Sequence, residues 1–327
     1  MISLLQVNSY YYNTINDNKL YNVAKKFYQH KDKIEQIEFS TDYHSDLSDR
    51  NKLFIQSCYY GDLSIVKYIL SRYDIDTHAE NDLAFTFACR QGHLDICKLL
   101  YMLDGVNVST SYYEEEDETL DDDAPLILAC KYGHFDVVNY LIQTNKVNVS
   151  EFAFKTACVN GYLDVAQLLY DHGKINIHAD NDCIFYDCCE EGHLEIIKWL
   201  CSLDEFIVTT PITLAASNGH LNVIKYLCNQ YPDYDIHENE DNVFRYCCFC
   251  GQLEIAQWTY SLDDTINISE YYHELFRQCC YRHNNLHIVK WVYDLDSRVN
   301  IYSVDEIKLL EYTGLTIEQL ILKLTAS

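Results

Sequence analysis

Cysteine and histidine are the residues of this chain best suited to chemistry, and they crowd most closely near its C-terminal end. Cys279, Cys280, His283 and His287 fall within nine residues, and two thiolates with two imidazoles make a tetrahedral zinc set. Against that, Cys280 stands at a core position and His287 opens a helix, so no metal is expected. His273-Glu274 begins a zinc-protease-like phrase, but Arg277 occupies the place of its second histidine. The chain holds no G-x-G-x-x-G, no P-loop and no G-x-S-x-G, so neither catalysis nor a cofactor is expected. Asn107-Val108-Ser109, Asn148-Val149-Ser150 and Asn267-Ile268-Ser269 match glycosylation acceptors. Yet the fifteen cysteines are an odd number, Met1–Tyr10 lacks the basic start of a secretory leader, and no apolar run approaches a bilayer span. Reduced thiols in the cytoplasm or nucleus are therefore expected, with the sequons unused.

Carboxylates are the other chemical population. Acidic residues outnumber basic ones 50 to 24, for a net charge of −26. A surface of that sign repels nucleic-acid phosphates and anionic membranes, which leaves a protein partner, expected to be basic. The densest run follows two tyrosines, Tyr112 and Tyr113: Glu114, Glu115, Glu116, Asp117 and Glu118, then Asp121, Asp122 and Asp123. It reads either as a solvated loop or as an acidic arm for a basic partner. It lacks the glycine and ligand register of an EF-hand calcium loop.

What must position these residues is a repeat. The phrase Gly92–Leu100 (GHLDICKLL) returns from Gly133, Gly192 and Gly219, with weaker copies from Gly61, Gly161 and Gly251 and one without glycine from Asn284. The starts are 31, 41, 28, 31, 27, 32 and 33 residues apart, the longest interval holding the acidic run as an insertion. Before each glycine stands a pair of small residues, such as Ala88-Cys89, Ala129-Cys130 and Cys247-Cys248. Such a pair suits close packing of a short first helix on its neighbours. The glycine suits a left-handed helix stop, and the leucine and carboxylate after it suit the first turn of a second helix. That second helix is apolar nearly all round, as a helix sandwiched between neighbours must be. Polar stretches such as Lys174–Asp182 (KINIHADND) then read as turns or short finger loops. Ten cysteines fall in the small-residue columns and are expected to be buried packing residues. Equivalent columns one layer apart are expected to lie beyond disulfide reach. The histidines after the glycines, His93, His134, His193 and His220, are expected to bond loop backbone.

Helix, turn, helix and finger at this period resemble the ankyrin-repeat family, whose usual period is 33. The resemblance runs clearly over Asn51–Leu295 and is carried by the G-H-L-E-V-V-K-L-like second-helix phrase. The family's T-P-L-H opening survives only in Ala124-Pro125-Leu126-Ile127 and Thr210-Pro211-Ile212-Thr213. The finger text IHADND and the Asn/Ile/Tyr-rich vocabulary also resemble ankyrin-repeat proteins of large DNA viruses infecting amoebae. The expected fold is an all-α ankyrin-type solenoid. Residues 1–50 would form a degenerate capping repeat, 51–300 the array of about eight repeats with the acidic insertion at 111–123, and 301–327 a helical cap. The resemblance implies a monomeric, non-enzymatic scaffold that binds a partner protein on a concave face of fingers and first helices. Its alternative is a substrate-recognition adaptor for ubiquitin ligation, although neither end carries a convincing L-P-x-E start. The columns free to vary precede the glycine: Tyr59-Tyr60, Arg90-Gln91, Lys131-Tyr132, Val159-Asn160, Glu190-Glu191 and Ser217-Asn218. With the acidic arm, these are the candidate partner-binding residues.

Overall fold

The small pair, the glycine and the apolar run after it fold into two helices joined by a tight turn, and the fold class is the expected all-α repeat solenoid. The computed structural model describes residues 49–104, 106–110, 123–262, 279–281, 285–295, 305, 309, 313 and 315–325. Residues 1–48 of the expected N-terminal cap (1–50), the acidic run at 111–122, and His273, Glu274, Arg277 and His283 lie outside the described residues. Packing divides the chain into two compact units between Asn148 and Val149. The first holds α1 (Asp49–Tyr60), α2 (Leu63–Arg72), α3 (Ala79–Arg90), α4 (Leu94–Asp104), α5 (Ala124–Lys131) and α6 (Phe135–Gln143). The second holds α7 (Glu151–Val159), α8 (Leu163–His172), α9 (Ala179–Glu191), α10 (Leu194–Leu203), α11 (Thr209–Asn218) and α12 (Leu221–Gln230). It continues with α13 (Glu238–Cys250), α14 (Leu253–Leu262), α15 (Leu286–Leu295) and α16 (Ile317–Thr325).

Odd-numbered helices up to α13 are first helices, and within each unit they pack directly on one another. Two columns make this possible. Seven residues before the glycine stand Phe54, Phe85 and Leu126 in the first unit and Phe154, Phe185, Ile212 and Phe244 in the second, all buried. Four and three residues before it stand the small pairs, buried completely, so the helix backbones approach closely around one large side chain per layer. In the second unit the large residue recruits aromatic neighbours. Phe154 meets Tyr170 and Trp199 at centroid distances of 6.3 and 6.1 Å, and those two rings meet edge-on at 5.5 Å. Phe244, Tyr260 and Trp291 repeat the cluster.

All fifteen cysteines are free thiols. Burial pushes the Cys58, Cys89, Cys189, Cys247, Cys248 and Cys280 thiols far up, so they stay protonated. Several act as weak donors: Cys279 Sγ reaches the Cys248 carbonyl at 3.3 Å and Cys247 Sγ the Ala216 carbonyl at 3.8 Å. Cys89 and Cys97, on the two helices of one repeat, also bring their sulfurs to 3.6 Å.

The turn explains both the glycine and the residue that follows it. Each repeat glycine has φ between 71° and 90°, the left-handed region that side chains disfavour. Over Gly61, Gly92, Gly161 and Gly192 lies the imidazole of the next repeat, where any Cβ would intrude. That imidazole bonds the carbonyl two residues before the glycine: His93 to Tyr59 at 2.9 Å, His134 to Arg90 at 2.8 Å and His193 to Val159 at 2.7 Å. Where the histidine is lost, Gln252 donates to the Ser217 carbonyl at 3.1 Å and Asn285 to the Phe249 carbonyl at 2.8 Å. Of the expected backbone bonds, those of His93, His134 and His193 are thus made, and each is a bond between layers.

The fingers differ from the expected loops in one respect. Glu80, Asn81 and Asp82 all take left-handed backbone angles, as do Asp180, Asn181 and Asp182. Left-handed geometry costs roughly 1–2 kcal/mol per L-residue, least for Asn and Asp. Side-chain bonds hold the turn in place. Asp76, Asn176 and Asp235 accept from the backbone N–H of His78, His178 and His237. The Nδ1 atoms of those histidines then bond Asp82, Asp182 and Asp241 at 2.7, 2.6 and 2.8 Å. This H-x-x-x-D device replaces the missing T-P-L-H start. Asn107 supplies the same turn, accepting from Ser109 N–H, so that sequon is a finger element.

Candidate functional site

The face left by this architecture is the exposed side of the first helices together with the finger turns. In the first unit the expected columns form a connected surface. Tyr59 packs edge-on against Tyr60 at 5.1 Å and against Phe87 at 5.4 Å. Arg90 lies over the Tyr132 ring at 5.3 Å and donates from Nη2 to its hydroxyl at 2.9 Å. Tyr132 in turn stacks on His134. Tyr60 and Tyr132 are 38% and 36% exposed, while Tyr59, Arg90, Gln91 and Lys131 are half-buried. Burial raises both Tyr59 and Tyr60, with the Arg90 charge pulling Tyr59 partly back, so both phenols present neutral donors.

The second unit has a different face. Glu190 and Glu191 are exposed, and Lys155 is held by Asp187 of the next first helix at 2.7 Å, which raises the lysine. Asn160 and Asn218 turn back to cap their own helices, on the Thr156 and Leu214 carbonyls. Residues outside the expected columns complete this face: Phe152 is 43% and Tyr246 45% exposed. Each stands nine or five residues before its glycine, on the same helical stripe. That stripe was the signal available for finding them.

Asp123 does not belong with the acidic arm. It is buried, and its carboxylate accepts from Ser109 Oγ and, at 3.1 Å, from Asn148 N–H. Asp82 does the same for Asn107 N–H. Both carboxylates tie one finger to the next, so Asp123 serves the fold and is not presented to a partner. The rest of the arm, Tyr112 to Asp122, lies outside the described residues.

Among the described residues no group of three His, Cys, Asp or Glu is placed to hold a metal ion. Cys279 and Cys280 are buried, and His287 bonds the Gly251 carbonyl at 3.0 Å. No helix among them is long and apolar enough to cross a membrane.

Two histidines are set to titrate in opposite senses. His93, under its repeat turn, is lowered by burial, with the Tyr59 carbonyl partly offsetting. His178 is raised, first by Asp182 and then by Asp204, whose carboxylate reaches its Nε2 at 3.3 Å. The stability His93 contributes is therefore present above the ordinary value of about 6.5 and is lost as pH falls through its folded pKa. The contribution of His178 runs the other way. It is fully present below about 6.5 and is lost as pH rises through its folded pKa. Proton NMR titration of the imidazole Cε1–H signals is expected to place the two on opposite sides of 6.5, and Asp182→Asn is expected to bring His178 back towards it.

A family model for ankyrin repeats in three copies matches residues 53–152, 104–181, 126–209 and 185–269. Among solved structures, the human ASB11 ankyrin repeat domain is similar at 20% identity and a TM-score of 0.45, covering 54% of this chain and 82% of that one. No curated protein sequence matches the chain.

Proposed function

This chain belongs to the ankyrin-repeat family, and on that premise we propose that it is a non-enzymatic scaffold binding a partner protein through its finger turns and first-helix faces. Ankyrin repeats are protein-interaction repeats. The observation that carries the finer reading is the residue two places before the glycine in the repeats of Gly61, Gly92, Gly161, Gly219 and Gly251. Its carbonyl is pinned by the next repeat's His, Gln or Asn, while its side chain changes from Tyr to Arg, Val, Ser and Phe. Structure there depends on the backbone alone, so the side chains are free to specify a partner. The expectation of a basic partner rests on the net charge and on residues 111–122.

Site-directed photo-crosslinking tests this. A benzophenone amino acid placed at Tyr60, Tyr132 or Glu191 is expected to capture a stoichiometric protein from the native source. The same group at Lys67 or Lys198, exposed on second helices, is expected to capture little. Equal capture from both helix faces would sink the proposal, and co-capture of ubiquitin-ligase subunits would recast the scaffold as an adaptor.

A further inference from the structure

We infer that His178 is a proton-operated clasp between consecutive fingers of the second unit. Doubly protonated, it ties its own finger turn at Asp182 to Asp204 at the root of the next finger, and on losing a proton it releases Asp204. The two nitrogens of one ring carry the inference. Nδ1 lies 2.6 Å from an Asp182 oxygen and Nε2 3.3 Å from an Asp204 oxygen. A neutral imidazole has one N–H and one lone pair, so it can donate to one of these carboxylates and must turn its lone pair on the other. Only the imidazolium donates to both. The Asp182 and Asp204 carboxylates are the charges that act on the ring. Glu151 of α7 approaches the same finger two residues away, accepting from the Asn176 N–H at 3.3 Å. The Asp204 arm is the one released, because it is the longer contact and its side chain is 63% exposed against 15% for Asp182. Water can take the place of the ring there.

What the clasp holds is the root of a finger. Asp204 keeps its other oxygen on the Glu205 N–H at 2.8 Å. Phe206, next along, stacks on Phe185 with centroids 4.2 Å apart and lies 4.8 Å from the His178 ring, so the positive ring rests against an aromatic one. The Phe206 N–H donates to the Tyr231 hydroxyl at 3.2 Å, and Ile207 beside it is 69% exposed. The sequence repeats the pair. Asp104, Asp204 and Asp263 stand 26 residues after His78, His178 and His237, each twelve after its repeat glycine. The shortened fingers before α7 and α11 have no histidine, and Gly173 and Tyr231 occupy the aspartate's place after them. Every finger histidine thus has its aspartate, and Asp296, twelve after Asn284, stands there without one. On the scaffold reading, acid would present two fingers as one ordered edge. The clasp itself belongs to the fold, and its test needs no partner.

The full chain, labelled with nitrogen-15, is followed by NMR between about pH 5.5 and 8, reading the His178 ring nitrogens and the amides of Glu205 and Phe206. The ring is expected to stay doubly protonated past the ordinary value of about 6.5, and its midpoint to fall towards that value in Asp204→Asn. Protection of the two amides from hydrogen exchange, corrected for the intrinsic rate at each pH, is expected to drop about two- to fivefold as pH rises through the midpoint, the range of a solvent-exposed ion pair. In Asp204→Asn that drop is expected to vanish. Asp204 is exposed and asparagine keeps an acceptor for the Glu205 N–H, so this variant retains the fold. His178→Gln, which takes no proton, is expected to give protection that does not change with pH. A His178 midpoint unmoved by Asp204→Asn would mean that Asp204 is no partner of the ring. Wild-type protection that stays flat through the midpoint would mean that the ring titrates without holding the finger. Either result overturns the inference and leaves the scaffold reading, which rests on crosslinking at the first helices, as it stands.

Discussion

Phe154→Ala is expected to cost about 3–5 kcal/mol, the range for removing a fully buried phenylalanine from a well-packed core. Phe154 has no exposed surface and supports two rings at once, Tyr170 of its own repeat and Trp199 of the next. Its loss therefore opens a cavity and leaves the edge-on Tyr170–Trp199 pair without its floor. In a repeat array stability is carried by each repeat and its interface with the next, so the damage should be local. Hydrogen exchange followed by mass spectrometry should show protection lost across α7 to α10 while the first unit keeps its own. Protection lost uniformly over both units, or a loss under about 1 kcal/mol in urea denaturation, would contradict this account of the core.

The second large effect concerns the turn. Gly161→Ala is expected to destabilise by about 2–4 kcal/mol, summing left-handed strain and a lost interlayer hydrogen bond. Gly161 has φ +83°, and an alanine Cβ there would stand 2.8 Å from Cε1 and Nδ1 of His193. The imidazole must move, and moving it breaks its 2.7 Å bond to the Val159 carbonyl. The two parts of the cost separate in a double-mutant cycle. With His193→Ala in the background the clash disappears and only backbone strain remains, so Gly161→Ala should cost clearly less there. Urea denaturation of the four chains gives the coupling, and strict additivity would mean that the histidine and the glycine do not meet.

The repeat and its glycine were legible because the same physical demand recurs seven times, and a demand imposed on backbone geometry leaves few residues to choose from. The burial of Cys58, Cys89 and Cys248 was legible for the same reason. The interlayer role of the histidine was harder to read. The sequence shows His193 beside Gly192, whereas its steric partner is Gly161, one repeat earlier. The left-handed finger turns escaped because IHADND is an ordinary polar turn in composition. Only the recurring four-residue spacing of His78 to Asp82, His178 to Asp182 and His237 to Asp241 marks them. Asp123 was misread for a related reason. It ends a run of carboxylates in the sequence, but it occupies the place that Asp82 takes one repeat before, so position outweighed composition. The candidate face was legible at its variable columns. Its accessible stripe was not, because Phe87 and Leu128 are buried at the column where Tyr246 is exposed.

The bond from His93, His134, His193, Gln252 and Asn285 into the preceding repeat's backbone has a consequence for how such a chain is assembled over generations. Imidazole, glutamine amide and asparagine amide all serve as the donor, and the acceptor is an atom that every amino acid possesses. At this bond a repeat can therefore be duplicated, deleted or recombined without matching the displayed side chains of its new neighbour, provided that the neighbour keeps its glycine and its buried packing. The joint is generic while the displayed residues are private to each copy, and a new binding surface can be composed by shuffling units whose buried faces already match.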